Sequence, residues 1–213
     1  MRKNLTELVF ILDRSGSMLN MVDDVIGGFN DMISRQQEEP GQAWVTTVLF
    51  STDTTMLHDR VPLRDVRPMT RKDFRVGGGT ALMDAVGETV KHIADIHRYA
   101  RPQDVPARTL FVITTDGMEN ASRNFDAREI RSLISRQRRD ADWEFLFLGA
   151  NIDAAETARS YGIPAERAAQ WQPDGEGARR SFDVLSETVA CVRACEAIPA
   201  SWSKGMMDTP DEE

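Results

Sequence analysis

A chain of 213 residues, 41% hydrophobic and 28% charged, has the length and balance of one globular α/β domain with a substantial core. Its formal charge of −8 provides no basic field for phosphate, which argues against nucleic acid and anionic membrane as partners. No stretch approaches the ~20 apolar residues of a spanning helix. The apolar run from Val9 to Leu12, closed by Asp13 and preceded by Glu7, is too short for a secretory leader, so a cytoplasmic location is expected.

Taken in chain order, Leu8 to Leu12 reads as a buried strand that ends in a carboxylate. Hydroxyls follow at every second residue in Asp13-Arg14-Ser15-Gly16-Ser17. One charged and two neutral oxygen donors can hold a hard divalent cation and leave it electron-poor enough to accept a further anion, and Mg²⁺ suits such a set. Val22, Val25, Phe29 and Ile33 then recur at helical spacing, and Glu38-Glu39-Pro40-Gly41 ends that helix. Ala43 to Phe50 is β-rich. Ser51-Thr52-Asp53 turns it into an antiparallel edge strand from Thr54 to Val61. Residues 62 to 79, rich in prolines, charges and glycines, are expected to loop back to the edge that carries Asp13. Gly77-Gly78-Gly79-Thr80 leads into a long helix lined by Leu82, Val86, Val90, Ile93 and Ile96.

The second half repeats this rhythm. A strand at 109 to 114 ends in Thr115-Asp116-Gly117, the same grammar as the first run, and a helix follows near 126 to 140. Trp143 to Leu148 is another strand, Asp153 to Tyr161 a short helix, Ala168 to Trp171 a short last strand, and Ser181 to Ala197 the closing helix. Such alternation predicts a Rossmann-like, doubly wound α/β fold: a mostly parallel sheet, one antiparallel edge strand, and helices on both faces. Residues 1–200 are expected to form the domain. Residues 201–213 are expected to be a flexible acidic tail, with Asp208, Asp211, Glu212 and Glu213 able to reach a neighbouring molecule.

Asp13-x-Ser15-x-Ser17, the threonine of Gly77-Gly78-Gly79-Thr80-Ala81-Leu82 and the aspartate of Thr114-Thr115-Asp116-Gly117 together resemble the metal-ion-dependent adhesion site of von Willebrand factor type A domains. The resemblance spans roughly residues 5 to 195, and no position of the motif departs from it. It implies that Ser15, Ser17 and Thr80 offer hydroxyls to the ion, and that Asp13 and Asp116 act directly or through water. It also implies that a carboxylate from a partner completes the shell. The function expected is a metal-dependent protein–protein interaction module rather than an enzyme, with Mg²⁺, or Mn²⁺ or Ca²⁺, bridging to an Asp or Glu. The setting that the resemblance implies is a multiprotein complex such as an ATPase-type assembly.

Simpler roles compete for each element. Ser15 or Ser17 could cap a helix, Asp116-Gly117 could be an ordinary turn, and the glycines could form a loose loop. A different class also places an aspartate at the end of a first strand: magnesium-dependent phosphoryl hydrolases of the haloacid dehalogenase type. Those want a second carboxylate two residues on, where this chain has Ser15, and neither Lys72 nor Lys91 fits as a phosphate anchor. The same fold with a silent site, serving as a scaffold, is the third reading.

Cys191 and Cys195 share a predicted helix face, an arrangement poorly suited to a disulfide, and read as small buried residues. Arg131, Arg136, Arg138 and Arg139 are surrounded by Asp126, Glu129, Asp140 and Asp142 and read as a solvated helix face. Trp143 and Trp171 are expected to pack at strand ends, while Met18 and Met21 fit either core or rim.

Overall fold

The computed structural model describes residues 2–207. Its centre is a six-stranded sheet in the order β3-β2-β1-β4-β5-β6. The strands are β1 (Arg2–Asp13), β2 (Gln42–Phe50), β3 (Thr54–Pro62), β4 (Pro106–Thr115), β5 (Glu144–Gly149) and β6 (Ala168–Gln170). All neighbours run parallel except β2 and β3, which form the expected antiparallel edge pair. The helices are α1 (Val22–Glu38), α2 (Leu82–Tyr99), α3 (Ala127–Ala141), α4 (Ala154–Ser160) and α5 (Gly175–Arg193). The Rossmann-like α/β architecture expected from the alternating pattern is therefore the one observed.

The period of two in β1 distributes its side chains between two cores. Leu8, Phe10 and Leu12 pack on one face with Phe29 of α1 and Phe182 of α5. Val9 and Ile11 pack on the other with Val86 and Val90 of α2 and Ile130 of α3. Because β1 is buried on both faces, its apolar run is continuous rather than alternating. On the first face the rings of Phe10 and Phe29 meet edge to face at 5.5 Å, and Phe29 meets Phe182 at 6.2 Å. Trp143 and Trp171 are buried, as expected, and Met18 and Met21 prove to be core residues.

Four local expectations change. The closing helix begins at Gly175, where the Asp174 carboxylate accepts from the Gly177 amide at 2.7 Å. Glycines at both positions hid that start, since glycine is a weak helix former. The helix also stops at Arg193, so Cys195 lies beyond its cap at φ +63° and is exposed, while Cys191 is only half-buried. Neither cysteine is the small core residue expected. The packed domain runs past residue 200 as well: Ile198, Trp202 and Met206 join the α1–α5 core, and the Trp202 indole N–H donates to Glu166 O at 2.8 Å. The acidic residues from Asp208 onward lie outside the described residues.

Among the described residues, no helix is long and apolar enough to cross a membrane. Strand order reverses between β1 and β4, and the crevice at their carboxyl ends is where open α/β sheets collect ligands. Leu12 pairs with Thr114 there, which sets Asp13 beside Thr115 and Asp116.

Candidate metal centre

Asp13 closes β1 with only 1% of its surface exposed. Its Oδ1 accepts from the Ser15 amide at 2.7 Å, and its Oδ2 accepts from the Thr115 hydroxyl at 2.7 Å. The chain then winds into a 3-10 helix at Gly16–Met21, and Ser15, at the capping position, makes no side-chain cap. Its hydroxyl instead lies 3.1 Å from the Ser17 hydroxyl and 3.5 Å from Asp116 Oδ1. Ser17 donates to the same Oδ1 at 2.7 Å. The helix-capping reading of Ser15 therefore gives way to a cluster of side-chain oxygens drawn from both strand ends.

Asp116 is 2% exposed, and its backbone oxygen accepts from the Asn151 side chain at 3.0 Å. Thr115 O takes the Ala150 amide at 3.0 Å and the Trp171 indole at 3.3 Å. The Asp116 turn is thus tied to the β5 end and to the segment after β6.

Thr80 arrives on the loop between β3 and α2. That loop is tied to the Asp13–Ser17 turn by Gly77 N to Arg14 O at 3.0 Å and by Gly16 N to Gly78 O at 3.2 Å. On its other side, the Gly79 amide donates to the Thr52 hydroxyl at 2.8 Å, and Ala81 N donates to Ser51 O at 2.7 Å. Gly78 sits at φ +79°, and a Cβ there would meet Thr52 Oγ1 at 2.6 Å. Only glycine satisfies both the conformation and the close approach. Arg14 reinforces the assembly from behind, reaching Arg75 O at 3.2 Å, Asp53 at 3.0 Å and Thr55 at 3.1 Å. The glycine loop is fixed rather than loose.

The loop after Asp116 and the start of α2 hold each other. Asn120 Oδ1 accepts from Thr80 N at 2.9 Å, while Asn120 N donates to Thr80 O at 3.0 Å. Glu119 accepts from Met83 N and from the Ser122 hydroxyl, and Asp84 accepts from the amides of Arg123, Asn124 and Phe125. Pattern reading missed Thr115, Glu119, Asn120 and Asp84. Thr115 holds the Asp13 carboxylate through its hydroxyl, and the other three accept from backbone amides across the site, contacts between distant segments that no local motif displays.

The structure therefore gathers Asp13, Ser15, Ser17 and Asp116 directly and brings the Thr80 segment to the same edge. Ser17 is exposed, and Thr80, like Ser15, is buried. Burial, chiefly, and then the charge of Asp116 push the Asp13 pKa above its ordinary value, against the opposing hydrogen bonds from Thr115 and Ser15. Two carboxylates share a desolvated corner whose contacts are hydroxyls and amides, with the nearby Arg14 committed to Asp53 and Thr55. Such a corner fits a divalent cation as its counter-charge. Among the described residues no three or more His, Cys, Asp or Glu gather into a metal cluster. A cation at this edge would consequently be held by mixed hydroxyls and carboxylates, the donor set of a hard ion.

No protein-family model and no curated protein matches the sequence. Solved structures do. The von Willebrand factor domain of the pilus tip protein Mfa5 from Porphyromonas gingivalis aligns over 89% of this chain and 96% of its own, at TM-score 0.63 and 9% identity. A von Willebrand factor type A protein from Catenulispora acidiphila aligns over 89% of this chain and 43% of its own, at TM-score 0.56 and 16% identity. Proximal thread matrix protein 1 of the mussel byssus, in a form with a zinc-occupied metal-ion-dependent adhesion motif, aligns over 88% of this chain and 46% of its own, at TM-score 0.58 and 15% identity. The chain spans less than half the length of the last two.

Proposed function

We propose that this chain, which has the fold of von Willebrand factor type A domains, is a metal-dependent protein-binding module. Asp13, Ser15, Ser17, Thr80 and Asp116 would hold a divalent cation, Mg²⁺ first and Mn²⁺ or Ca²⁺ as substitutes. When bound, the ion supplies a Lewis-acidic point on the surface to which an Asp or Glu of a partner protein can coordinate. The observation that carries this reading is the junction of Ser15, Ser17 and Asp116 oxygens within hydrogen-bonding distance at the β1–β4 crevice. Three of the five donors are neutral, so the ion's charge would be only partly compensated. An incoming carboxylate would then gain more from binding than it would at an all-acid site.

The chain's own residues do the positioning. Asp13 is held by Ser15 N and Thr115 Oγ1, the Asp116 turn by Asn151, and Thr80 by Asn120. Ser17 opens the site to solvent, and Leu19 and Met118, 67% and 73% exposed, flank it as apolar contacts for a partner. The binding role is favoured over phosphoryl hydrolysis because Ser15 stands where a general acid would be needed. We place the module in the cytoplasm, working within a multiprotein complex of the ATPase-associated kind, and assign it no catalysis.

Magnesium should raise the melting temperature of the wild type and not of Ser15→Ala or Thr80→Ala. A stabilisation of about 2.7 kcal/mol is expected at a hundredfold excess over Kd. Equal shifts in all three proteins would favour a silent scaffold. Proteins captured from the native cell in magnesium should be lost in EDTA, and capture that ignores the chelator would sink the bridging role.

A further inference from the structure

Beside the cation edge lies a groove of about 460 Å³. Gly117, the residue after Asp116, forms part of its wall, so groove and edge are continuous along the backbone. Leu82 and Met83 of α2, Met118 and Ile152 give it an apolar lining. Tyr161 also lines it. Its side chain is 4% exposed, yet its hydroxyl makes no hydrogen bond to any described residue. The ring is buried but the hydroxyl itself still meets solvent, and as both donor and acceptor it can take a group that enters the groove in place of water. Burial, with the Glu119 carboxylate nearby, pushes its pKa upward, so it stays a neutral phenol.

The outer rim is acidic. Asp153 and Glu156 are exposed there, and Asp153 caps α4 through the Glu156 amide at 2.8 Å. The Glu156 carboxylate has no partner among the described residues, and no lysine or arginine lines the groove.

We propose that this groove receives a lysine or arginine side chain from the same partner segment whose Asp or Glu faces the cation edge. The inference rests on the metal-dependent reading above and names its ligand class: an acid and a base close together on one peptide. A long basic side chain matches each part of the groove. Its carbon stem covers Leu82, Met83 and Met118, while its tip donates to the Tyr161 hydroxyl and approaches Glu156. A wholly apolar side chain would leave the phenol unpartnered, and an acidic one would meet the repulsion of Asp153 and Glu156. Gly117 is the passage between the two subsites: a Cβ built there meets nothing within 4 Å.

The probe is a pool of short peptides with one fixed Asp and random neighbours, captured by the immobilised full chain in magnesium and in EDTA. Each variant is first shown to be folded by its thermal transition. Magnesium-dependent capture should enrich Lys or Arg within about three residues of the Asp, the reach of an extended chain across Gly117. Glu156→Lys should abolish the enrichment. Tyr161→Phe should weaken the selected peptide about threefold to tenfold, the effect of one hydrogen bond. Magnesium-dependent capture without a basic preference, or with one that survives Glu156→Lys, overturns the groove assignment and leaves the cation reading standing. Capture that is equal in magnesium and EDTA, or absent in both, overturns the cation reading and this assignment with it.

Discussion

Asn120 grips the peptide groups on both sides of Thr80, accepting from Thr80 N at 2.9 Å through Oδ1 and donating to Thr80 O at 3.0 Å through its own amide. The loop that follows Asp116 thereby fixes the residue expected to offer the third hydroxyl, although Asn120 itself is no ligand. Asn120→Ala should lower stability by about 1 kcal/mol, the net worth of one hydrogen bond. It should also shrink the magnesium-induced rise in melting temperature, which Asn120→Asp, keeping an acceptor at Oδ1, should largely retain. Calorimetry with and without magnesium checks both.

In the middle of β1, Glu7 is fully buried and held by Arg60, whose Nε donates to both carboxylate oxygens at 2.9 and 3.1 Å, with His97 at 3.2 Å. Arg60→Met should cost about 3 kcal/mol or more, because it leaves a buried charge without its main partner. The double variant Glu7→Leu, Arg60→Met should recover most of that loss. Urea unfolding of the three proteins measures the difference.

The β3–α2 loop is braced by Asp73, which takes both Arg67 guanidinium nitrogens at 3.0 Å and the Thr70 amide and hydroxyl at 2.9 and 2.7 Å. The Arg67 contact, foremost, and Thr70 hold its pKa well below the ordinary 3.8. A carboxylate depressed on folding contributes stability that is complete above its unfolded value and is lost as pH falls through the folded one. Asp73→Asn should therefore melt below the wild type at neutral pH, and the gap should close as the solution is acidified below about 3.8. Thermal melts across that range decide it.

Helices α1 and α5 cross at Gly28, where an added Cβ would stand 2.7 Å from the Phe182 ring and 3.1 Å from its Cβ. Alanine ordinarily improves a helix interior by about 1 kcal/mol over glycine. Here Gly28→Ala should destabilise by about 1–3 kcal/mol, because Phe182 is fixed between Phe29 and the sheet. A melting temperature equal to or above the wild type's would show that the crossing can yield.

Asp13, Ser15, Ser17 and Asp116 were legible because each belongs to a strand-end motif that carries its own geometry over a few residues. The strand and helix order was legible for a related reason: hydrophobic periodicity is a local property, set by which faces a segment must bury. The α5 start was not, since Gly175 and Gly177 argue against a helix until the close approach of Gln172 O to Gly177 is known. Nor was the role of Trp202 and Met206, which look like tail until the α1–α5 core is there to receive them.

By itself, then, the amino-acid order determined the alternating elements, the two carboxylates at strand ends and the hydroxyls spaced beside one of them. Only the tertiary structure decided that Asn120 fixes Thr80, that Thr115 orients Asp13, and that an apolar groove ending at Tyr161 opens next to the cation edge. The reason is physical. Periodicity and turn chemistry act through neighbours in sequence, whereas these contacts join groups on distant segments that meet only when the sheet has formed.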